Sequence, residues 1–309
     1  MSYRNALILT GPTGCGKTRL GIELAKRMDA EIVSMDSMTL YRGVNVGTAK
    51  PNPEEREQVP HHLIDVRDPW ESASVAWWLE QAATCCRDVE RRGRRVLFVG
   101  GTLLYFKAML RGMFEGPAAD ASVRRRLTDE ARQEGPESLH GRLVQVDPAT
   151  AARVHPHDVR RVIRALEVWE LTGRPISTWQ TQWKDVGSEG KDDEASRGPT
   201  AVWLDLPRQE LYSRIDARVC QMMDNGLIEE ARSLRRLPLP VGREASQAVG
   251  YREAFAYLDG LASWKETIER IQTRSRNLAK RQVTWLRHLP ARRIAPKDLT
   301  IDSWGSTID

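Results

Sequence analysis

The residues with the clearest chemical potential form the segment Gly11-Pro12-Thr13-Gly14-Cys15-Gly16-Lys17-Thr18. It matches the pattern G-x-x-x-x-G-K-[ST], in which N–H groups of a glycine-rich loop bind phosphate oxygens. Lys17 brings a positive charge to the outer phosphate of such a ligand, and the Thr18 hydroxyl suits Mg²⁺. The segment therefore predicts a diphosphate or triphosphate site with Mg²⁺ as cofactor, and it does not specify ATP.

The residues around this loop predict the elements that position it. The apolar run at 6–10 is typical of a buried strand, and apolar residues recur at helical spacing over 20–28. A strand, a glycine-rich turn and a helix are the context in which the pattern binds phosphate, because a helix amino terminus also favours an anion.

Two polar residues follow other predicted strands. Asp36 comes after the run at 30–35, and Thr102 follows the run at 95–99 and two glycines. Ligands bind at the carboxyl ends of strands in an open parallel sheet, so we expect both residues near the loop. A carboxylate at that place coordinates Mg²⁺, acts as a general base, or merely caps a turn or helix.

The order of predicted elements indicates a catalytic core interrupted by an insertion. Residues 1–116 alternate strands and helices, which predicts an α/β fold with a parallel sheet flanked by helices, as in P-loop NTPases. Residues 117–184 show helical segments without a strand-like run, which predicts an all-helical insertion domain. Residues 185–199 are polar and glycine-rich, as in a flexible linker. Residues 200–309 return to the core with a strand and then basic helices, predicted over 209–237 and 263–289.

Composition limits the class of protein. Of 309 residues, 40% are hydrophobic and 29% charged, which is ordinary for a globular protein. The four cysteines form no metal or disulfide pattern. No apolar run approaches the ~20 residues of a membrane helix, and no signal peptide is recognisable, so we expect a cytoplasmic protein without a membrane partner. The net charge of +5 permits a nucleic-acid partner. Arginines, lysines and Trp285 on the last long helix suit RNA, although a solvated helix face has the same composition.

The sequence resembles one family, the bacterial tRNA dimethylallyltransferases, also called tRNA delta-2-isopentenylpyrophosphate transferases or IPP transferases. The resemblance covers nearly the whole chain in the family's order. Besides the loop, it rests on Asp36-Ser37, Tyr41-Arg42-Gly43, the Asn-Val-Gly-Thr-Ala-Lys-Pro motif at 45–51, 62–65, 99–102, Leu104-Tyr105, 164–168, 249–251 and the Lys-Arg-Gln-Val-Thr-Trp-Leu-Arg motif at 280–287.

The resemblance implies an activity. The family transfers a dimethylallyl group from dimethylallyl diphosphate to N6 of the adenosine immediately 3′ of the anticodon, in tRNAs that read codons beginning with U, and releases diphosphate. The loop would then hold the prenyl diphosphate rather than ATP. The anticodon stem-loop of tRNA is the implied partner, and we expect a monomer.

The resemblance also implies residue roles. Asp36 matches the general base, Arg218 matches a diphosphate-binding arginine, and Thr102 matches a contact to the target nucleotide. The helical insertion, 117–184, would grip the anticodon stem. The residues implied to contact tRNA are Asp36, Ser37, Met38, Thr39, Thr102, Arg124, Arg160, Arg161, Val162, Ile163, Arg164, Gln247, Gly250, Tyr251, Arg252, Lys280, Arg281, Gln282, Trp285 and Arg287.

Three alternatives remain at the level of the sequence. A P-loop small-molecule kinase would use ATP, but no acceptor pocket is evident and the basic last helix would have no role. A prenyltransferase acting on free adenine nucleotides would not need the insertion. An RNA-binding protein with a relict loop would not need intact Lys17, Thr18 and Asp36.

Overall fold

The computed structural model describes residues 3, 6–112, 116–179 and 200–304. Its central element is a sheet in the order β3-β2-β4-β1-β5-β6, and all neighbouring strands pair in parallel. The strands are β1 (Leu7–Thr10), β2 (Ala30–Ser34), β3 (His61–His62), β4 (Arg95–Gly100), β5 (Thr200–Leu204) and β6 (Arg292–Ile294). β1 is buried along its whole length because β4 and β5 flank it and helices cover both faces.

Helices make up most of the remaining regular structure. They are α1 (Lys17–Arg27), α2 (Pro53–Gln58), α3 (Val75–Arg91), α4 (Leu103–Arg111), α5 (Ala121–Glu134), α6 (Pro136–Val146), α7 (Pro148–Ala151), α8 (Val159–Thr172), α9 (Ile176–Trp179), α10 (Arg208–Asp224), α11 (Leu227–Arg235), α12 (Arg243–Ser246), α13 (Tyr251–Leu258) and α14 (Trp264–Leu286). Two 3₁₀ helices, Pro296–Asp298 and Ile301–Trp304, follow β6. Across the described ranges, no helix combines the length and apolar character needed to cross a membrane.

The chain divides into two compact units. The first combines Met1–Leu110 with Asp193–Asp309 and contains the sheet. The second is Arg111–Asp192, whose described residues include α5 to α9 around a core of leucines and valines. The predicted parallel α/β class with a helical insertion is confirmed. The linker predicted at 185–199 lies outside the described residues.

The region 209–237, predicted to be helical, forms two helices. α10 ends at Asp224, and α11 begins at Leu227 after Gly226, whose φ of +89° is left-handed. Glycine adopts that conformation at little cost, so the chain changes direction there. The described end of the chain returns to the middle of the sheet, where Trp304 Nε1 donates a hydrogen bond of 3.2 Å to Ile8 O.

A buried charge cluster lies near the amino end of β2. The Glu31 side chain is 3% exposed and accepts hydrogen bonds from Arg92 Nε and Nη2 at 3.0 and 2.7 Å. His62 Nε2 lies 2.6 Å from the same carboxylate. The hydrogen bond from Arg92 is the main reason that the pKa of Glu31 falls below its ordinary value, because burial alone would raise it.

This depressed pKa makes stability depend on pH. A carboxyl group with a lower pKa in the folded state stabilises the protein above its ordinary pKa of about 4.3 and loses that contribution as the pH falls through the folded value. We therefore expect Glu31→Gln to lower the melting temperature at pH 7, with the difference from the unmodified protein shrinking in acid. Calorimetry from pH 7 to pH 3 measures this, and a difference that grows in acid would contradict it.

Candidate active site at the carboxyl edge of the sheet

The glycine-rich loop connects β1 to α1. Gly16 is the residue before α1 and has a left-handed φ of +91°, which aims the amino end of the helix into a cavity. Lys17 Nζ donates hydrogen bonds to Gly11 O and Pro12 O, at 2.9 and 2.8 Å. Cys15 is fully buried, so its side chain packs in the core behind the loop.

One cavity of about 1130 Å³ brings the loop together with the predicted base Asp36 and the predicted diphosphate-binding Arg218, whereas Thr102 is not among the residues that line it. Lys17, Thr18, Asp36 and Arg218 all line it. This juxtaposition follows from topology, because β1 and β2 end at the same edge of the sheet and α10 passes that edge. The cavity therefore combines cations, a hydroxyl group and a carboxylate, which suits an anionic substrate and a proton transfer.

Asp36 is held in place by its own turn. Met38 N donates a 2.8 Å hydrogen bond to Asp36 Oδ1, and among the described residues none donates to Oδ2. Thr102 lies beside this turn: its hydroxyl accepts a hydrogen bond of 2.9 Å from Ser37 N. Thr39 is buried, and its hydroxyl bonds to Ser34 Oγ at 2.8 Å, so it serves the fold as well as the cavity wall.

Gly100 allows the turn that carries Asp36 to approach the end of β4. A Cβ on Gly100 would lie 2.1 Å from Met35 O, and the contact is backbone that has little freedom to move. We therefore expect Gly100→Ala to destabilise the protein by about 3 kcal/mol or more and to impair the site, because Met35 precedes Asp36. Gly141→Ala is the control, since a Cβ there meets nothing within 4 Å. Chemical denaturation measures both, and equal stabilities of the two variants would contradict the expectation.

Arg218 reaches the loop from α10. Its Nη2 donates a 2.7 Å hydrogen bond to Thr13 Oγ1, while its buried Nε has no hydrogen-bond partner among the described residues. Burial lowers the pKa of the Arg218 guanidinium, an effect that Cys15 and Asp36 partly oppose. Arginine nevertheless stays protonated in proteins, so a desolvated cation faces the cavity and favours an anion beside it.

Sequence reasoning assigned no role to the cluster around Lys50 on the far wall of the cavity. The Lys50 side chain is 1% exposed, and Nζ donates to Tyr41 O, Asn45 Oδ1 and Asp65 Oδ1 at 2.6, 2.8 and 2.7 Å. Burial alone would raise the pKa of Asp65, but hydrogen bonds from Lys50 and Arg56 lower it overall. The cluster fixes the loop between β2 and α2. The motif at 45–51 was the sequence feature that could have identified this cluster. The motif alone does not show that the Lys50 side chain is buried.

Tyr251 does not have the exposed position that an RNA contact requires. It is fully buried, donates a short hydrogen bond to Glu230 Oε1, and accepts one of 3.1 Å from Gly47 N. Glu230 also accepts from Val46 N at 2.9 Å. The ring therefore supports the cavity loop from behind, whereas Gln247 and Arg252, on either side of buried Gly250, are exposed.

The predicted tRNA-contacting residues of the helical unit also include both buried and exposed side chains. Val162 and Ile163 belong to its core, so burial excludes their side chains from RNA. Arg124 Nε and Arg164 Nη1 both donate to the buried Glu167 carboxylate, at 2.8 and 2.7 Å, which orients these half-exposed guanidinium groups. The exposed candidates on α8 are Arg160 and Arg161.

α14 and Arg287, the residue that follows it, present most of the predicted RNA contacts of this region to solvent. Lys280, Arg281, Trp285 and Arg287 are exposed. Gln282 differs from them, because its side chain turns inward and accepts a hydrogen bond of 2.8 Å from Thr13 N. The Gln282 amide is therefore engaged within the protein, and the contact of this residue with RNA stays a prediction.

The fold and the cavity define a class of protein. A parallel sheet with a phosphate-binding loop after its central strand, a helix amino terminus and a carboxylate at the same edge is a P-loop α/β protein. The family model for IPP transferase matches residues 39–289, and the chain belongs to that family.

Relatives and solved structures agree with this assignment. A tRNA dimethylallyltransferase of Geobacter metallireducens is 45% identical over 281 residues, which cover 91% of this chain and 89% of the relative. The full-length tRNA isopentenylpyrophosphate transferase of Bacillus halodurans is 38% identical with a TM-score of 0.67, covering 97% of this chain and 92% of that one. A eukaryotic dimethylallyltransferase acting on tRNA has a TM-score of 0.70 at 29% identity, covering 91% and 69%.

Proposed function

We propose that this protein transfers the dimethylallyl group of dimethylallyl diphosphate to N6 of the adenosine immediately 3′ of the anticodon, in tRNAs that read codons beginning with U. The observation that carries the proposal is that Lys17, Thr18, Arg218 and Asp36 line the same cavity. Cations for a diphosphate and a carboxylate for an amine proton are the groups that this alkyl transfer needs. The names of the relatives support it over a small-molecule kinase.

The reaction forms one bond and breaks another. N6 attacks C1 of the dimethylallyl group, the bond from C1 to the diphosphate oxygen breaks, and N6 loses a proton to the Asp36 carboxylate. This acceptor matters because the adenine amine is a weak nucleophile whose lone pair feeds the ring. Lys17, Arg218 and the loop N–H groups stabilise the charge that grows on the departing diphosphate. An adenosine must leave its base stack to enter such a cavity.

Mg²⁺ suits this site on the chemistry of its donors. The described residues contain no group of three His, Cys, Asp or Glu side chains placed to hold a metal ion. Mg²⁺ commonly binds through substrate phosphates, waters and one or two protein oxygens, which fits the Thr18 hydroxyl in the cavity. When bound, the ion would neutralise charge on the diphosphate, and Thr18 would hold it.

The proposal places tRNA on the exposed basic residues of each unit. These are Arg160 and Arg161 in the helical unit, and Arg252, Lys280, Arg281 and Arg287 in the sheet unit. Trp285, which is 41% exposed beside Lys107, adds a ring for stacking on a base.

These residues predict a strong dependence of tRNA binding on salt. Each neutralised phosphate contributes a slope of about −0.7 to −0.9 to a plot of log K against log salt. We expect Arg281→Ala to reduce the magnitude of the slope by about one unit. Arg236→Ala is the control, because Arg236 is an exposed arginine immediately after α11 and outside the proposed surface. Filter binding from 50 to 300 mM KCl measures both, and a flat profile for the unmodified protein would argue against the surface.

One experiment separates the proposed function from the kinase alternative. The protein is incubated with tRNA, Mg²⁺ and either dimethylallyl diphosphate or ATP, and the digested nucleosides are weighed by mass spectrometry. We expect an adenosine heavier by one dimethylallyl group only with the prenyl donor. Consumption of ATP with unmodified RNA would overturn the proposal.

A further inference from the structure

The Gln282 side chain joins α14 to both loops of the cavity edge. Oε1 accepts the hydrogen bond from Thr13 N, and Nε2 donates one of 2.8 Å to Gly101 O. Thr13 belongs to the phosphate-binding loop, and Gly101 precedes Thr102 in the turn after β4. A primary amide offers an acceptor and a donor on one planar group, so no shorter or ionised side chain makes both bonds.

The Gln282 side chain packs so closely against these loops that a small movement of α14 would displace them. A Cβ on Gly101 would lie 2.6 Å from Gln282 Nε2, so the amide sits directly against the backbone there. Thr13 is held on its other side, where its hydroxyl accepts the hydrogen bond from Arg218. Gln282 therefore holds the backbone of Thr13, and Arg218 holds its side chain.

The same helix also fixes α10, which carries Arg218. Arg276 Nη1 donates to Asp216 Oδ1 at 2.6 Å, and Gln272 Nε2 donates to Asp216 O at 3.3 Å. Asp216 lies two positions before Arg218 in the chain. α14 thus holds the loop, the turn after β4 and the arginine helix, while its solvent face presents Lys280, Arg281 and Trp285.

We propose that Gln282 is a positioning residue that couples occupation of the basic face of α14 by RNA to the affinity of the phosphate-binding loop for diphosphate. The inference rests on the proposed function. RNA bound to α14 fixes the helix, Gln282 transmits the fixed position to Thr13 N and Gly101 O, and the loop binds diphosphate more tightly. Linkage requires that diphosphate strengthens RNA binding by the same factor.

Calorimetry with two simple probes tests the coupling. The dissociation constant of inorganic diphosphate with Mg²⁺ is measured with and without a saturating anticodon stem-loop RNA. We expect the RNA to tighten diphosphate binding about 5- to 100-fold in the unmodified protein. In Gln282→Met, which keeps the length of the side chain but neither bond, we expect this ratio to fall below twofold. A merely structural role would weaken diphosphate binding equally with and without RNA and leave the ratio unchanged.

Two further variants sharpen the result. Gln282→Glu keeps the acceptor for Thr13 N and loses the donor to Gly101 O, so we expect an intermediate ratio. If Gln282→Met does not fold, Gln282→Glu takes its place in the experiment. Lys280→Met is expected to weaken stem-loop binding while the ratio at RNA saturation stays as in the unmodified protein. An unmodified protein that binds both probes without coupling, or Gln282 variants with a full ratio, would overturn this inference alone. Failure of the unmodified protein to bind either probe would overturn the proposed function with it.

Discussion

Replacing Asp36 with asparagine is expected to lower the rate of dimethylallyl transfer by about 10²- to 10⁴-fold, the usual contribution of a general base. Asparagine has nearly the shape of aspartate, and its oxygen still accepts the hydrogen bond from Met38 N. The amide takes no proton from N6, so the loss falls on the chemical step. Single-turnover rates with radiolabelled donor measure this loss, and filter binding with tRNA is expected to stay within about twofold.

Asp224→Asn provides the matched control, because Asp224 is an exposed carboxylate at the end of α10. It is expected to retain the full rate. If Asp36→Asn and Asp36→Ala lost tRNA affinity and transfer to the same degree, Asp36 would be a structural residue of its turn rather than the base.

Replacing Arg218 with methionine is expected to lower the transfer rate by about 10²- to 10³-fold, as for the loss of one preorganised donor to a developing anion. The guanidinium is desolvated at the cavity wall, so its interaction with a departing diphosphate is little weakened by water or salt. Arg218→Lys is expected to recover only part of the rate, because an ammonium group does not bind phosphate oxygens in the bidentate manner of arginine.

The control for this prediction is Arg232→Met on α11, where the arginine is exposed. Pre-steady-state rates at saturating donor distinguish a loss in the chemical step from a loss in donor affinity. A fall in affinity alone, with the saturated rate intact, would mean that Arg218 binds the ground state and the departing group equally.

The features that sequence reasoning predicted correctly are governed by local patterns. The strands β1 and β4 contain apolar runs, as expected for parallel strands buried on both faces, and β2 adds a short apolar pair beside the buried Glu31. The phosphate-binding loop is a short motif with its own strand and helix. Its position near Asp36 followed from one topological rule about strand ends.

What sequence reasoning missed depends on contacts distant along the chain. β6 is the three residues Arg292–Ile294 at an edge, with two exposed arginines and no apolar run, so nothing local marks it as a strand. The inward orientation of Gln282 and Tyr251 depends on partners more than 200 positions away, Thr13 and Gly47. A basic helix with a glutamine is compatible with either orientation until the loop that it contacts is known.

The pairing of β1 with β5 has a consequence for synthesis on the ribosome. β1 is translated first, yet one of its two neighbours begins at Thr200, and Trp304 closes on Ile8 later still. At translation rates of about 5–20 residues per second, roughly 10–40 s separate β1 from β5. During that interval the edge of β1 that later pairs with β5 has no partner strand, while α5 to α8, whose contacts are local, can already fold. Chaperones that shield exposed strands have their main opportunity in that interval.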